Sequence, residues 1–313
     1  MLGKTAAGLF WMSRYLERGE NGARLLEAGF RIALTRSATA SAEWKSILAT
    51  SGALAAYESQ YDEYDSARVI DFLLRDKSNP ASVISNVKAA RDNARLVRTA
   101  LTREVWEATN EVWITLHALL TEDVNERDLP DVLSVIRQQM AVVRGTMAGT
   151  MLRNDGYNFS RLGMYLERAD NTARILDVKY YLLLPSFAKI GSSLDQVHWE
   201  TILRSVSARR AYRWLNGTEI SPINVAEFLI LQPQMPRSLA FCSQKIMYNL
   251  GHLEQDYGVE NDSCRLAKTY YQKLKNSNID TIFDLGLHEF VTGFLADNGR
   301  LASQIEQDYR FQG

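Results

Sequence analysis

Proline is scarce in this chain, at six residues among 313. A proline removes a helical donor and clashes with the preceding turn, so long stretches without it suit helices. Cysteine is scarcer still: Cys242 and Cys264 stand alone. Two cysteines make no disulfide framework, and they read as reduced core thiols of a reducing compartment. An excess of charge of either sign is also missing. Thirty-six Lys and Arg face 37 Asp and Glu, for a net charge of -1. Nothing in that balance draws the whole chain to nucleic acid or anionic lipid. Long apolar runs are missing too. None nears the roughly 20 residues that a helix needs to cross a bilayer, and the run from Tyr180 to Leu184 is short and stops at Pro185. Met1 to Phe10 shows neither a long apolar run nor a cleavage-site pattern. The expectation is a soluble, cytoplasmic protein without a membrane or nucleic-acid partner.

Several chemistries lack their residues. The four histidines, His117, His198, His252 and His288, are scattered. His198 and Glu200, like His252 and Glu254, are two apart and so point to different helix faces. There is no His-Glu-x-x-His and no cysteine pair, hence no zinc site. There is no glycine-rich phosphate loop and no nucleophile elbow. No metal and no cofactor is expected. Gly286, Gly293 and Gly299 suggest close helix packing.

What is present is helical periodicity. The pattern predicts helices over Thr5 to Ser37, a second around Trp44 to Leu54, then Ala67 to Leu74. Ser78-Asn79-Pro80 predicts a start, with a capping side chain before a first-turn proline, for a helix running toward Leu101. Thr102 caps the next, and Leu129-Pro130 opens another. After the turn cluster Asn154-Asp155-Gly156, helices are expected over Phe159 to Leu184, Asp195 to Leu215, Pro222 to Leu231, Pro236 to Asp256, Asp262 to Leu274 and Asp280 to Tyr309. No two-residue alternation persists. The expected fold is an all-α bundle of about a dozen helices forming one domain over residues 1–313.

The sequence also repeats itself. Tyr15-Leu-Glu-Arg-Gly-Glu-Asn-Gly-Ala-Arg-Leu-Leu26 aligns with Tyr165-Leu-Glu-Arg-Ala-Asp-Asn-Thr-Ala-Arg-Ile-Leu176, identical at eight of twelve positions. Chance gives roughly one in sixteen per position at ordinary composition. Trp44, Ile47, Leu48 and Tyr57 match Trp199, Ile202, Leu203 and Tyr212. Val69, Phe72, Leu73, Pro80 and Ser82 match Val225, Phe228, Leu229, Pro236 and Ser238. Collinear matches with small shifts in offset predict a tandem duplication, with pseudo-symmetric copies at about 1–152 and 153–313.

The repeated segment is also the polar motif. Helical geometry puts Arg14, Glu17, Asn21 and Arg24 on one stripe with Arg18 beside it, and Glu167, Asn171 and Arg174 on another with Arg168 beside it. Met12, Tyr15, Ala23 and Leu26, with Leu162, Tyr165, Ala173 and Leu176, fall on the core side. In the second copy Met164, Val178 and Leu182 bracket the stripe, which predicts a buried helix. Three readings fit: a solvated face with pairs along the helix, a buried ion network whose charges must pair, or a ligand or catalytic site with Glu17 and Glu167 as candidate catalytic carboxylates. Arg91, Asn93 and Arg95 have related spacing and are candidates for the same network. Arg204, Arg209, Arg210 and Arg213 form a basic cluster. Tyr57 to Asp65 is acidic and tyrosine-rich, expected as a surface loop of a type that docks to basic partners.

The motif Leu-Glu-Arg-x-x-Asn-x-Ala-Arg resembles that of the Alpha-E family, helical bacterial domains of unknown function with a Glu-Arg motif. Asn79-Pro80-x-Ser82, Ala90-Arg91-Asp92-Asn93-Ala94-Arg95, Trp106-Glu107-x-x-Asn110 and Pro236-Arg237-Ser238 extend the likeness over most of the chain and add Arg237 and Ser238 to the candidate polar network. Gly19-Glu20 departs from it, because a small residue other than glycine more often precedes the acid. The resemblance implies companionship with ATP-grasp ligases, and so a part in forming peptide or amide bonds. The expected role is an accessory component holding the ligase or its acceptor, a peptide or carboxylated substrate. The alternatives are an enzyme of the same pathway acting through Glu17 or Glu167, and a purely structural homo-oligomer.

Overall fold

A computed structural model describes residues 1–35, 40–183 and 193–312. They form 15 α-helices, one short 3-10 turn and no strand. The first seven helices are α1 (Gly3–Thr35), α2 (Ala40–Ser51), α3 (Leu54–Glu58), α4 (Ser66–Leu74), α5 (Val83–Leu96), α6 (Arg103–Leu119) and α7 (Leu129–Thr150). The remainder are α8 (Asp155–Leu183), α9 (Ser193–Ser205), α10 (Arg209–Asn216), α11 (Pro222–Ile230), α12 (Leu239–Tyr257), α13 (Asp262–Lys275), α14 (Ile279–Leu285) and α15 (Leu287–Asp308).

The two longest helices, α1 and α8, pack on each other. Helix α1 also meets α2, α5, α7 and α9, while α8 meets α2, α12 and α15. Helix α6 lies on α7, and α13 bridges α12 and α15. The inner pair is thus enclosed by an outer layer. Its sequence explains this: Leu9, Phe10, Met12 and Leu26 of α1, with Phe159, Leu162, Leu166 and Leu176 of α8, are almost wholly buried. Gly163 permits the contact. A Cβ there would lie 2.1 Å from the Phe10 carbonyl oxygen.

The helix count exceeds a dozen because three segments break differently from their periodicity. The expected Asp195–Leu215 helix divides at Ser207, which adopts a left-handed φ of 56°. The expected Asp280–Tyr309 helix divides at Gly286, whose φ of 101° suits glycine. A short helix, α3, takes in the first two residues of the acidic, tyrosine-rich segment, and residues 59–65 form the expected loop. Helix α5 starts at Val83, not at Pro80: Ser82 caps it by accepting from the Ser85 amide, while Asn79 organises the turn before it by donating to the Phe72 carbonyl. Helix α12 likewise starts after Ser238, which accepts from the Phe241 amide. In both places the serine two residues beyond the proline supplies the first acceptor, so the proline sits in the turn. Helix α5 stops at Leu96, and Arg98–Ala100 is a 3-10 turn. Thr102 and Pro130 behave as expected. Gly293 and Gly299 make no close packing, since a Cβ on either would meet open space. The break expected at Thr35-Arg36-Ser37 and Thr39-Ala40-Ser41 falls mostly on residues 36–39, which lie outside the described residues, as do the stop at Pro185 and the side chains of Val178 and Leu182.

Candidate functional site

The motif residues of α1 and α8 face each other across the central contact. Arg18 donates to both Glu167 oxygens, from Nε at 2.6 Å and Nη2 at 2.9 Å. Arg168 donates to both Glu17 oxygens, each at 2.9 Å. Each helix therefore offers a carboxylate and a guanidinium that grip the other helix in a two-point fork. Tyr15 and Tyr165 each lie under the arginine three residues on, both at 5.7 Å. Arg14 adds a 3.0 Å bond to Glu167, and the Asn21 amide donates to the Glu167 carbonyl.

Arg237 completes the centre from the turn before α12. It donates to Glu17 at 3.1 Å, to Asn21 at 3.2 Å and to Glu20 at 2.7 Å. Its own carbonyl accepts from Thr172 of α8. Arg24 forks onto Glu20 and reaches on to the Ser205 carbonyl and the Ser207 hydroxyl, where α9 ends. Arg144 of α7 bonds Glu20 and lies 3.7 Å from Glu17.

Other candidates stand elsewhere. Arg174 pairs along its own helix with Asp170 and is partly exposed. Asn171 is buried, but its amide nitrogen has no partner. Arg91 donates to Asn110, Asn93 to the Ala89 carbonyl, and Arg95 reaches Asp92 on an exposed face. These three do not join the network, because α5 turns their side of the helix toward α6 and solvent. Ser238 acts as a cap. Glu20 and Arg144, which the stripe did not include, are central. Glu20 carried a signal, since it follows Glu17 by one helical turn and aligns with acidic Asp170. Arg144 carried none, since its contact depends on how α7 docks.

Burial pushes the Glu17 carboxyl up, but Arg168, Arg237 and Arg144 more than reverse this and hold it far below the usual range. Glu20 is raised by burial and by Glu17, then brought below its usual value by Arg237, Arg24 and Arg144. Burial also raises Glu167, and Arg18 and Arg14 bring it below its usual value. Arg237 goes down to about 10, because burial and the neighbouring Arg24 and Arg168 outweigh its carboxylates. Arg168, with Glu17 in its fork, goes up despite burial. The carboxylates are thus ionised and saturated with donors, which suits a clamp and not a proton acceptor.

Both cysteines are buried free thiols, and burial pushes Cys242 up to about 12. Among the described residues no three His, Cys, Asp or Glu side chains gather into a metal set, and no helix is long and apolar enough to cross a membrane. Tyr57 is fully buried and donates to the Glu63 carbonyl, so the acidic segment shows its acids to solvent and turns its first tyrosine inward. In the basic cluster, Arg204 and Arg209 pair with Glu200.

A family model described as a predicted alpha-helical domain with a conserved ER motif matches residues 1–309. Uncharacterized proteins of Mycobacterium bovis and of Mycobacterium tuberculosis strain CDC 1551 / Oshkosh are each 23% identical over 302 residues, covering 88% of this chain and 34% of theirs. The chain thus spans about a third of the length of these relatives. No solved structure matches it.

Proposed function

This chain belongs to the Alpha-E family, and from that premise we propose that it is a binding component of an ATP-grasp-associated system forming peptide or amide bonds. In this role it holds the ligase or its acceptor substrate in the cytoplasm. The observation that carries the reading is the saturation of Glu17, Glu20 and Glu167 by guanidiniums. A general base needs a carboxylate able to take a proton near working pH, and these are held in the opposite direction. The family resemblance supports the ligase association. The relatives' length adds support: there the matching region is one part of a longer polypeptide, as a companion module would be.

The reading includes descent from a duplicated unit, with copies at about 1–152 and 153–313 sharing one core. Its support is the reciprocal fork between α1 and α8. Buried Tyr57 and Tyr212 add to it, each donating to a backbone carbonyl and standing edge-on to Phe72 and Phe228 at 5.2 and 5.5 Å. The matched caps Ser82 and Ser238 add more.

Co-purification tests the function. The tagged chain is expected to retain an ATP-grasp ligase from its own cell, and the ligase to lose activity when the chain is removed. A ligase fully active alone, with no association, defeats the proposal. Turnover of a peptide or amide by the isolated chain, lost in Glu17→Gln with the fold intact, establishes the enzyme reading instead.

A further inference from the structure

An open cleft lies where α1, α7 and α8 meet, lined by Ser13, Glu17, Arg144 and Arg161 with methionine walls. Its room is about 20 Å³, enough for one water-sized oxygen and not for a whole small molecule. Ser13 is 4% exposed, and its hydroxyl has no hydrogen-bond partner. A buried hydroxyl left unpaired is costly, so one aimed at a cleft calls for an acceptor.

Arg161 is the second observation. Its guanidinium touches Met164, the Tyr165 hydroxyl and the rings of Tyr157 and Tyr165, and among the described residues no carboxylate. The third is the charge of the neighbouring network. Glu17, Glu20 and Glu167 are ringed by Arg14, Arg18, Arg24, Arg144, Arg168 and Arg237. Six cations thus surround three anions. Glu306 lies in the field of Arg14, and Asp170, itself paired with Arg174, lies in that of Arg18. The remaining positive charge is partly buried and attracts an anion. Glu17, although it lines the cleft, already serves Arg168 and Arg237.

We propose that this cleft is a carboxylate-binding site. One carboxylate oxygen enters between Arg144 and Arg161 and accepts from the Ser13 hydroxyl. The carbon beside it rests on Met140, Met147 and Met164, whose flexible thioethers adapt to it. The rest of the ligand stays outside. A phosphate that placed one oxygen in this room would lay its other charged oxygens against the methionine walls, where they would lose water without gaining a partner. The site deepens the binding reading by naming what is held, and rests on that reading only for the identity of the ligand's source.

Ligand-detected NMR titration of the full chain with butyrate, butyramide and inorganic phosphate tests it. Butyrate is expected to bind, butyramide not to, and phosphate to bind more weakly. Arg161→Gln should weaken butyrate about tenfold, the loss of one charge-assisted contact. Ser13→Ala should weaken it by less. Arg161→Gln orphans no carboxylate but loses the bond to the Tyr165 hydroxyl, so a modest fall in melting temperature is expected, and binding is read on a variant shown by melting to be folded. Equal binding of butyrate and butyramide, no butyrate binding, tighter phosphate than butyrate, or unchanged affinity in folded Arg161→Gln each overturns the site. A chain that captures the ligase but binds no butyrate defeats this inference alone. One that binds butyrate but no ligase defeats the ligase association alone.

Discussion

Removing the Glu17 carboxylate leaves Arg168 and Arg237 buried side by side with one shared anion fewer. Glu17→Ala should therefore cost on the order of 3–5 kcal/mol in chemical denaturation. Glu167→Ala should cost less, because Arg18 retains 33% of its side-chain exposure and can turn to water. Equal losses at the two positions would count against this ordering. Acid should act on the same groups. The folded-state carboxyls of Glu17, Glu20 and Glu167 lie below their unfolded value of about 4.5. Below that pH the unfolded chain binds protons that the folded chain refuses, so the stabilisation is complete above it and fades as pH falls. The melting temperature should hold from neutrality to about pH 5.5 and drop under about pH 4.5; a rise with acid would contradict the network. At this scale the sequence showed the stripe, because two similar segments keep Glu, Arg, Asn and Arg in register. It could not show that Arg18 belongs to Glu167 and Arg168 to Glu17, since partners about 150 residues apart are chosen by helix docking. Arg174 illustrates the limit. It aligns with Arg24, and both pair with the acid one turn before on their own helix, yet Arg24 reaches on to the end of α9.

Among the elements, the contact of α1 with α8 depends on Gly163. Gly163→Ala should cost more than about 2 kcal/mol, because its methyl meets backbone that cannot step aside. Gly145→Ala, in α7 with open space around it, should instead stabilise by about 0.5–1 kcal/mol. Denaturation midpoints of the two variants should move in opposite directions, and parallel shifts would show that the helices do not approach so closely. Long helices were legible from periodicity, and Thr102 and Pro130 from local capping chemistry. Breaks at Ser207 and Gly286 were not, because apolar spacing continues through both. Ser207 turns where its hydroxyl meets Arg24, a tertiary contact that no local pattern records. Pro80 and Pro236 were expected in the first turn of their helices, but each sits in the turn before, because the capping serine two residues on decides where the helix begins.

For the whole molecule, the fork between α1 and α8 joins the two halves of the chain through charges that are mostly buried. Unfolding one half would strand the other half's carboxylate or guanidinium without its partner. Calorimetry should therefore give one cooperative transition across the described fold, and two well-separated transitions would show independent halves. The central claim is that the repeated Glu-Arg motif is this clamp. The most direct test is a double-mutant cycle on Glu17→Gln and Arg168→Met, followed by equilibrium denaturation. The double mutant should be less destabilised than the sum of the single mutants, with a coupling of about 1–3 kcal/mol. Additivity within about 0.5 kcal/mol would mean that the two side chains do not share a load in solution, and would contradict the clamp.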